Sequence, residues 1–439
     1  MEKTAREIVA KLIGAGYVAM YAGGCVRDRL LGRECHDIDI ATSAPPEHVQ
    51  GLFPRTVAVG AQFGVIVVLE HGMEFQVATF RADGLYVDGR RPESVAFSTP
   101  ERDAARRDFT VNGVFYDPLT DSYLDFVDGR EDLSRRVIRA IGNPNDRFAE
   151  DKLRLLRAIR LAATLEFEID PATWSAVQKL APEIHTVSAE RVRDELVKIF
   201  LSPARVRGLD LLDASGLLQQ VLPEVAALHG CEQPPEFHPE GDVFIHTRIM
   251  LGLLSDHVSL PLVLSVLFHD IGKPPTFMVD ETGRIRFNGH EHVGADMTRD
   301  LMERLRFSND VIDDTVLMVK NHMAFKDVQQ MRVAKLKRFL ARPTIDDELE
   351  LHRVDCTSSH GMLDNLDFLI HRRDEFAHEP LIPEPLITGR DLIAQGRKPG
   401  PEFKEILDAV QTQQLEGTLN SHAEAIDWVA RQYPPSANQ

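Results

Sequence analysis

The sequence predicts an α+β chain, an α/β head over residues 1–140 ahead of an all-helical remainder. Short β-compatible runs at 38–41, 65–69 and 75–80, each bounded by turn residues, are confined to that head. From Arg147 onward such runs fade, and apolar residues recur at helical spacing through Leu153, Leu156 and Ala163, then Val192, Leu196 and Ile199. Proline-rich punctuation divides the helical part. HGCEQPPEFHPEGD at 229–242 holds three prolines, and a second cluster at 379–385 leads into a short tail ending with Pro434 and Pro435. The expected division is therefore 1–140, a helical neck and body at 141–230, a second helical block at 240–365 and a helical tail at 380–439.

Composition bounds the function. A chain of 439 residues holds two to four domains of ordinary size. Fifty Lys and Arg against 68 Asp and Glu give a net charge of -18, which excludes a uniformly basic nucleic-acid coat and makes any RNA contact local. Apolar residues at 43% and charged residues at 27% fit a folded chain. Cys25, Cys35, Cys231 and Cys356 form no Cys-x-x-Cys pair, so neither a disulfide framework nor a zinc ribbon is supported and a reduced cytoplasm is expected. The first residues, MEKTAREIVAKLIGAG, read as an amphipathic helix, and no stretch reaches the roughly 18 apolar residues of a membrane span, so a chain neither secreted nor membrane-embedded is expected. There is no internal repeat.

The densest chemistry lies at 21–42, YAGGCVRDRLLGRECHDIDIAT. Gly23 and Gly24 sit between a short apolar strand and a helix expected to start near Val26, where bare backbone N–H groups and the helix dipole favour phosphate. Arg27 falls in the first turn of that helix. A plain tight turn is the competing reading. The neighbouring Asp37-Ile38-Asp39 tips the choice: residues i and i+2 of a strand face one side, and two carboxylates pointing together are costly unless a divalent cation offsets their repulsion. Carboxylates holding Mg²⁺ are what nucleotidyl transfer needs, because the attacking hydroxyl must be activated and triphosphate charge neutralised. A solvated strand edge is the bland alternative.

Gly23-Gly24-x-x-Arg27-Asp28, followed by Asp37-x-Asp39 and Ala41-Thr42, resembles the head of the class II tRNA nucleotidyltransferase and bacterial poly(A) polymerase family. Arg90-Arg91-Pro92-Glu93-Ser94-Val95, Asp103-x-x-Arg106-Arg107-Asp108-Phe109-Thr110-Val111-Asn112 and Glu150-Asp151-x-x-Arg154-x-x-Arg157 follow in order, so the resemblance covers 20–230. It implies a polymerase-β-like nucleotidyltransferase head, with Asp37 and Asp39 as the catalytic residues that hold Mg²⁺. It also implies a nucleotide-binding set: Gly23, Gly24 and Arg27 at the triphosphate, Asp108 and Asn112 near the sugar, and Glu150, Asp151, Arg154 and Arg157 toward the base. One departure stands out. A third acid is usual in the family where this chain has Gln76, an amide that binds Mg²⁺ more weakly than a carboxylate. Glu74 faces the same way by strand alternation, one pair further out.

The stretch 147–165 has the spacing of one amphipathic helix, with Asp151 and Arg154 three apart on a shared face. A carboxylate and a guanidinium can mimic the hydrogen-bonding edge of a complementary base. An ordinary salt bridge is the competing reading. In the resembled enzymes the Glu-Asp-x-x-Arg motif selects CTP and then ATP, and bacterial poly(A) polymerases typically diverge there. The segment 82–90, ADGLYVDGR, corresponds to a loop that permits the switch to ATP and that CC-only enzymes lack. Residues 133–160 carry eight Lys or Arg and three acids, a local +5 that suits an RNA end or, equally, a solvated helix face.

A second constellation follows: His246, the doublet His269-Asp270, His290, His322 and Asp355. Imidazole and carboxylate ligands suit transition metals and Mg²⁺, and an aspartate beside a histidine can share a metal with it. LFHDIGK at 267–273 delivers the doublet on an apolar helix ended by Gly272 and Pro274. The order resembles the HD phosphohydrolase superfamily, which implies a divalent metal (Mg, Mn, Ni or Co) and action on cyclic phosphodiesters or phosphate monoesters at an RNA end. His292, His352 and His360 compete for the last places. A helical domain retained without a working metal site is the alternative. The tail from Leu386 to Gly417 resembles the small C-terminal module of the same nucleotidyltransferases.

The expectation is a cytoplasmic, Mg²⁺-dependent enzyme that adds CCA to tRNA 3′ ends from CTP and ATP without a nucleic-acid template, carries an HD domain and has no membrane partner. The rivals are an enzyme adding A alone, a poly(A) polymerase, and an HD phosphohydrolase whose head only binds RNA. The sequence sets no oligomeric state.

Overall fold

Helix α1 (Glu2–Gly14) buries Thr4, Ala5, Ile8, Val9 and Leu12, the stripe that a 3.6-residue period lays on one face. That stripe packs against a mixed sheet. The computed structural model describes residues 1–434 apart from 36, 61–63, 84–94, 235, 237 and 240. Strands β1 (Ala19–Ala22), β2 (Asp39–Thr42), β3 (Thr56–Gly60), β4 (Val65–Glu70) and β5 (Met73–Thr79) precede a separate hairpin of β6 (Arg81–Asp83) and β7 (Val95–Phe97). Strands β8 (Phe115–Asp117) and β9 (Ser122–Leu124) complete a seven-stranded sheet of order β3-β4-β5-β2-β1-β8-β9. Only β2 and β5 run parallel among its pairs. Alternation sorts the side chains. Ile40, Ile66, Val68, Phe75 and Val77 join the α1 core with α3 (Pro46–Leu52), while Ala22, Ala41, Phe80 and Phe115 gather on the other face with Ala104 of α4 (Pro100–Ala105). Helix α2 (Gly24–Leu30) follows β1 directly.

Helix α5 (Gly129–Arg135) leads into β10 (Val137–Ile138), which pairs in parallel with β11 (Glu168–Ile169). Between them the expected single helix over 147–165 is two: α6 (Pro144–Glu150) and α7 (Leu153–Leu165). The break has a local cause. Asp151 takes an extended conformation (φ -151°, ψ 106°), and its Oδ1 accepts the Leu153 N–H at 3.0 Å, ending one helix and capping the next. Helix α7 is buried on nearly all sides, among α8 (Pro171–Leu180), α9 (Ala189–Phe200) and α10 (Arg205–Ala214). A Cβ on Gly208 would stand 2.3 Å from Ile199 Cγ2, so glycine permits the close α9–α10 approach. Short helices α11 (Leu217–Val221) and α12 (Pro223–Ala226) end this first unit, which comprises 1–226 with 304–307.

The second unit comprises 227–303 and 308–439. Its centre is α14 (Leu260–Phe268), buried continuously from Leu262 to Phe268, preceded by α13 (Val243–Leu253). A short α15 (Lys273–Thr276) and the hairpin β12 (Met278–Val279) with β13 (Ile285–Arg286) lead to α16 (His290–Arg304) and α17 (Asn309–Asn321). Helix α18 (Val333–Leu340), α19 (Ile345–Ser358) and α20 (Asp364–Phe376) follow; Leu366 and Leu369 pack with Phe325 and Phe339, so the block runs on past residue 365. In the tail, α21 (Gly389–Ala394), α22 (Pro401–Leu415) and α23 (His422–Gln432) enclose Leu392, Ile406, Val410 and Val429. Among the described residues no helix is long and apolar enough to cross a membrane.

Candidate functional sites

Two clusters of chemistry-bearing side chains emerge, one in each unit. In the first, β1 runs into Gly23, whose φ of 74° and ψ of -138° are open to glycine and little else. A Cβ there would lie 3.4 Å from Arg107 Nη1 and 3.6 Å from Asp39 Oδ2, so the glycine turn abuts the aspartate. Asp37 and Asp39 are both exposed and Ile38 between them is buried, the alternation expected, although the paired strand begins only at Asp39. Partial desolvation raises the Asp39 carboxyl above its usual range; Arg107 opposes that and the like charge of Asp37 reinforces it. Exposed, mutually repelling carboxylates beside a bare backbone turn are a donor set suited to a hard divalent cation. Ile40 stands opposite Val77 in the parallel pair, which sets Gln76 next to Asp39 on the same face; Glu74 stands further along, opposite Leu69.

A continuous hydrogen-bonded line runs from this turn into the helical part. Arg27 donates to both Asp28 carboxylate oxygens at 2.9 Å and to Asn112 Oδ1 at 2.8 Å. Asn112 Nδ2 donates to Asp108 Oδ1 at 3.1 Å, and Asp108 Oδ2 accepts from Arg157 Nε at 2.8 Å and from Nη2. Burial would raise the Asp108 carboxyl, but Arg157 outweighs it and holds the group well below the usual carboxylate range. Further along, Arg154 Nη1 donates to Glu150 Oε2 at 2.6 Å. The competing Asp151–Arg154 salt bridge does not form; Asp151 is gripped by Arg191 of α9 at 3.1 and 2.7 Å, because the helix break turns its carboxylate toward α9. The segments 84–90 and 90–94, which carry most of the loop and arginine-proline motifs, lie outside the described residues.

In the second unit, His246 on α13, His269 and Asp270 after α14, His290 at the start of α16 and His322 after α17 converge, all buried. His246, His269 and Asp270 form one group, and Asp270, His290 and His322 another, with ligand atoms within 4.8 Å of one another in each. Asp270 belongs to both. Asp355 approaches His246 Nε2 at 3.1 Å. The backbone fixes the imidazole tautomers: Nδ1 of His269, His290 and His322 lies 2.9, 2.8 and 2.6 Å from the carbonyls of Val266, Phe287 and Val319. A carbonyl only accepts, so each Nδ1 carries a proton and each Nε2 is turned inward, the atom a neutral ring offers to a metal. Nε2 of His290 and Nε2 of His322 face each other at 3.1 Å, close enough to share a proton or a cation. Burial first, then the His269 and His290 charges, push the His322 imidazole down to about 3, so it stays neutral. His269 Nε2 and both Asp270 oxygens are buried without a well-aligned hydrogen bond, although Lys273 Nζ stands 2.7 Å from Asp270. The residues present fit a metal.

Of the competing histidines, His292 is exposed, while His352 stacks on Phe325 with ring centroids 4.3 Å apart. Above the cluster lies a cavity of about 1030 Å³ whose lining includes Lys273, Arg284, Arg286, Lys326 and His360. Arg107, Arg191 and Lys273 are site residues that sequence reasoning did not single out. Only the Lys273 place, three residues after the doublet, left a local signal.

These features fit known proteins. Residues 19–139 match the poly A polymerase head domain, 166–228 the probable RNA and SrmB-binding site of polymerase A, 243–358 the HD domain and 382–429 a tRNA nucleotidyltransferase domain 2. A CCA-adding enzyme of Streptococcus suis is 31% identical over 434 residues, covering 95% of this chain and 94% of that one. The chain belongs to the CCA-adding enzyme family. Within that family a Limosilactobacillus reuteri CCA-adding enzyme is 44% identical over 216 residues, and there the chain spans about half, 53%, of its relative's length. The Bacillus stearothermophilus CCA-adding enzyme, solved in complex with CTP, superposes with a TM-score of 0.77 at 28% identity, over 98% of this chain and 97% of that one. A Thermotoga maritima CCA-adding enzyme at 19% identity, with a TM-score of 0.61, shares the fold.

Proposed function

We propose that this CCA-adding family member extends tRNA 3′ ends with C, C and A from CTP and ATP, without a nucleic-acid template, in the cytoplasm. The observation that carries the reading is the line Arg27–Asn112–Asp108–Arg157, which couples the glycine turn beside Asp39 to the helix bearing Arg154. The terminal ribose hydroxyl attacks the α-phosphate and pyrophosphate leaves. Asp37 and Asp39 are the residues to hold Mg²⁺, which when bound neutralises triphosphate charge and acidifies the attacking hydroxyl. The backbone of Gly23 and Gly24 and the guanidinium of Arg27 cradle the triphosphate. Asp108 and Asn112, locked by Arg157, meet the sugar. Asp151 supplies acceptors and Arg154 donors to the base, with Glu150 holding Arg154.

The four divisions 1–140, 141–230, 240–365 and 380–439 then read as nucleotidyltransferase head, base-selecting and RNA-binding neck, metal-dependent HD domain and RNA-holding tail. For the HD domain we propose hydrolysis of cyclic phosphodiesters or phosphate monoesters at RNA ends. His246, His269, Asp270, His290, His322 and Asp355 would hold divalent metal, Mg, Mn, Ni or Co, which supplies an activated water. A cavity lined by Lys273, Arg284, Arg286 and Lys326 beside the carboxylates of Asp270 and Asp355 supports a phosphate-bearing substrate that meets both cationic groups and metal.

The test is incorporation of labelled CTP alone by pure protein into tRNA lacking its terminal trinucleotide. Two C residues are expected, and Asp37→Ala should abolish them. Incorporation of A but never C would make the chain an A-adder or poly(A) polymerase. An Asp37→Ala protein of undiminished incorporation would leave the head as an RNA-binding module.

A further inference from the structure

The guanidinium of Arg147, on α6, donates hydrogen bonds to Ile141, Ala105, Arg106 and Glu150. Nε donates to the Ile141 carbonyl at 3.1 Å and Nη2 to the Ala105 carbonyl at 2.7 Å; Nη1 donates to the Arg106 carbonyl at 3.2 Å and to Glu150 Oε2 at 3.0 Å. Its side chain is only 14% exposed. Ala105 and Arg106 close α4, where carbonyls lack helical partners. They immediately precede Arg107 and Asp108 in the chain.

Arg154 leans on two of the same acceptors. Its Nη1 reaches Glu150 Oε2 at 2.6 Å and its Nη2 the Arg106 carbonyl at 3.4 Å. Arg147 and Arg154 thus form a pair of forks on one carboxylate and one carbonyl, and Arg147 alone also reaches Ala105 and Ile141. A planar guanidinium has the rigid, multi-donor geometry for such a joint; an ammonium on a flexible stem does not.

We infer that Arg147 is a positioning residue for nucleotide selection: it fixes Arg154, through Glu150 and the Arg106 carbonyl, relative to Asp108 and Asn112. The inference rests on the reading that Asp151 and Arg154 meet the base. Base discrimination is sensitive to such placement, since an error near 1 Å can cost on the order of a hundredfold. Loss of Arg147 leaves the groups at the nucleotide in place but lets the angle between base side and sugar side drift. It should therefore raise KM for the correct nucleotide and admit wrong ones more than it lowers kcat.

The experiment compares Arg147→Ala, Arg147→Lys and Arg154→Ala on tRNA lacking its end, reading kcat and KM for CTP against UTP with melting temperature alongside. Arg147→Ala is expected to reduce the CTP-over-UTP preference by about tenfold, chiefly through KM, with kcat for CTP changing by less than about threefold. Arg147→Lys should recover only part of the preference. If Arg147→Ala does not fold, the lysine variant carries the same ratio. An unchanged preference with activity lost equally for both nucleotides means that Arg147 is only a structural joint, and the inference is wrong. Should Arg154→Ala destroy the preference while both Arg147 variants keep it, the inference fails and the base-selection reading stands. Should Arg154→Ala keep the preference, both fail together.

Discussion

The head and the HD cluster hold their charged groups in opposite ways. Asp37 and Asp39 stand exposed at the start of an interior strand, with Arg107 at the glycine turn, and the neighbouring strand β5 sets Gln76, not a carboxylate, beside Asp39. Asp270 and its histidines are buried, with each Nδ1 tied to a backbone carbonyl and each Nε2 turned toward the cluster. An exposed pair of like charges is reached directly from solvent, so it suits a cation that arrives with its triphosphate. A buried carboxylate ringed by imidazoles suits a metal held by the protein itself. The difference predicts a head site completed by substrate and a cluster that binds metal on its own.

The sharpest way to break that comparison is to exchange the losses. Asp39→Ala should lower nucleotide incorporation on the order of a thousandfold or more while leaving hydrolysis of 2′,3′-cyclic phosphates intact. Asp270→Ala should do the reverse. A single substitution that removes both activities would show that the two sites are not independent. Metal analysis sharpens the contrast further. Protein dialysed without chelator should retain divalent metal lost in His322→Ala, and adding metal to stripped protein at a thousandfold over its Kd should stabilise the second unit by about 4 kcal/mol. The Asp37→Ala variant should retain the same metal content as wild type.

A smaller effect concerns the line that joins phosphate turn to helix. Asp108→Ala leaves Arg157 without its carboxylate and should cost about 3 kcal/mol of stability by chemical denaturation. Because the folded-state carboxyl lies below its unfolded value, its contribution is complete above about pH 4 and fades as pH falls further. Wild type should accordingly lose stability below that pH more steeply than Asp108→Ala; equal slopes would remove Asp108 from this role.

How much of this was legible in the sequence follows from the range of each interaction. His269 and Asp270 are adjacent, and their ligand chemistry is intrinsic, so the doublet announced itself. Asp37 and Asp39 obey a two-residue period, visible without knowing what pairs beside them. The break at Asp151 was hidden because an aspartate inside an amphipathic pattern reads equally as a surface residue; only its capping of Leu153 and the pull of Arg191, 40 residues away, end the helix there. Arg147 looked like one more basic residue in a +5 run because three of its acceptors are main-chain carbonyls, which no side-chain pattern reveals. The return of 304–307 to the first unit likewise has no local signature.

The smallest expected effect is at Gln76. Gln76→Glu would add a carboxylate beside Asp39 and should lower the Mg²⁺ concentration for half-maximal incorporation by a few-fold, about threefold, with kcat little changed. A rise in the Mg²⁺ requirement would place residue 76 away from the cation.

The most direct measurement is the sequence of what the pure protein adds to tRNA lacking its end when all four nucleoside triphosphates are present at equal concentration. Addition of C, C and A, in that order and then a stop, is expected if Asp151 and Arg154 choose the base. A run of A residues, or random incorporation, would contradict the claim that this chain completes tRNA ends by reading nucleotides with its own side chains.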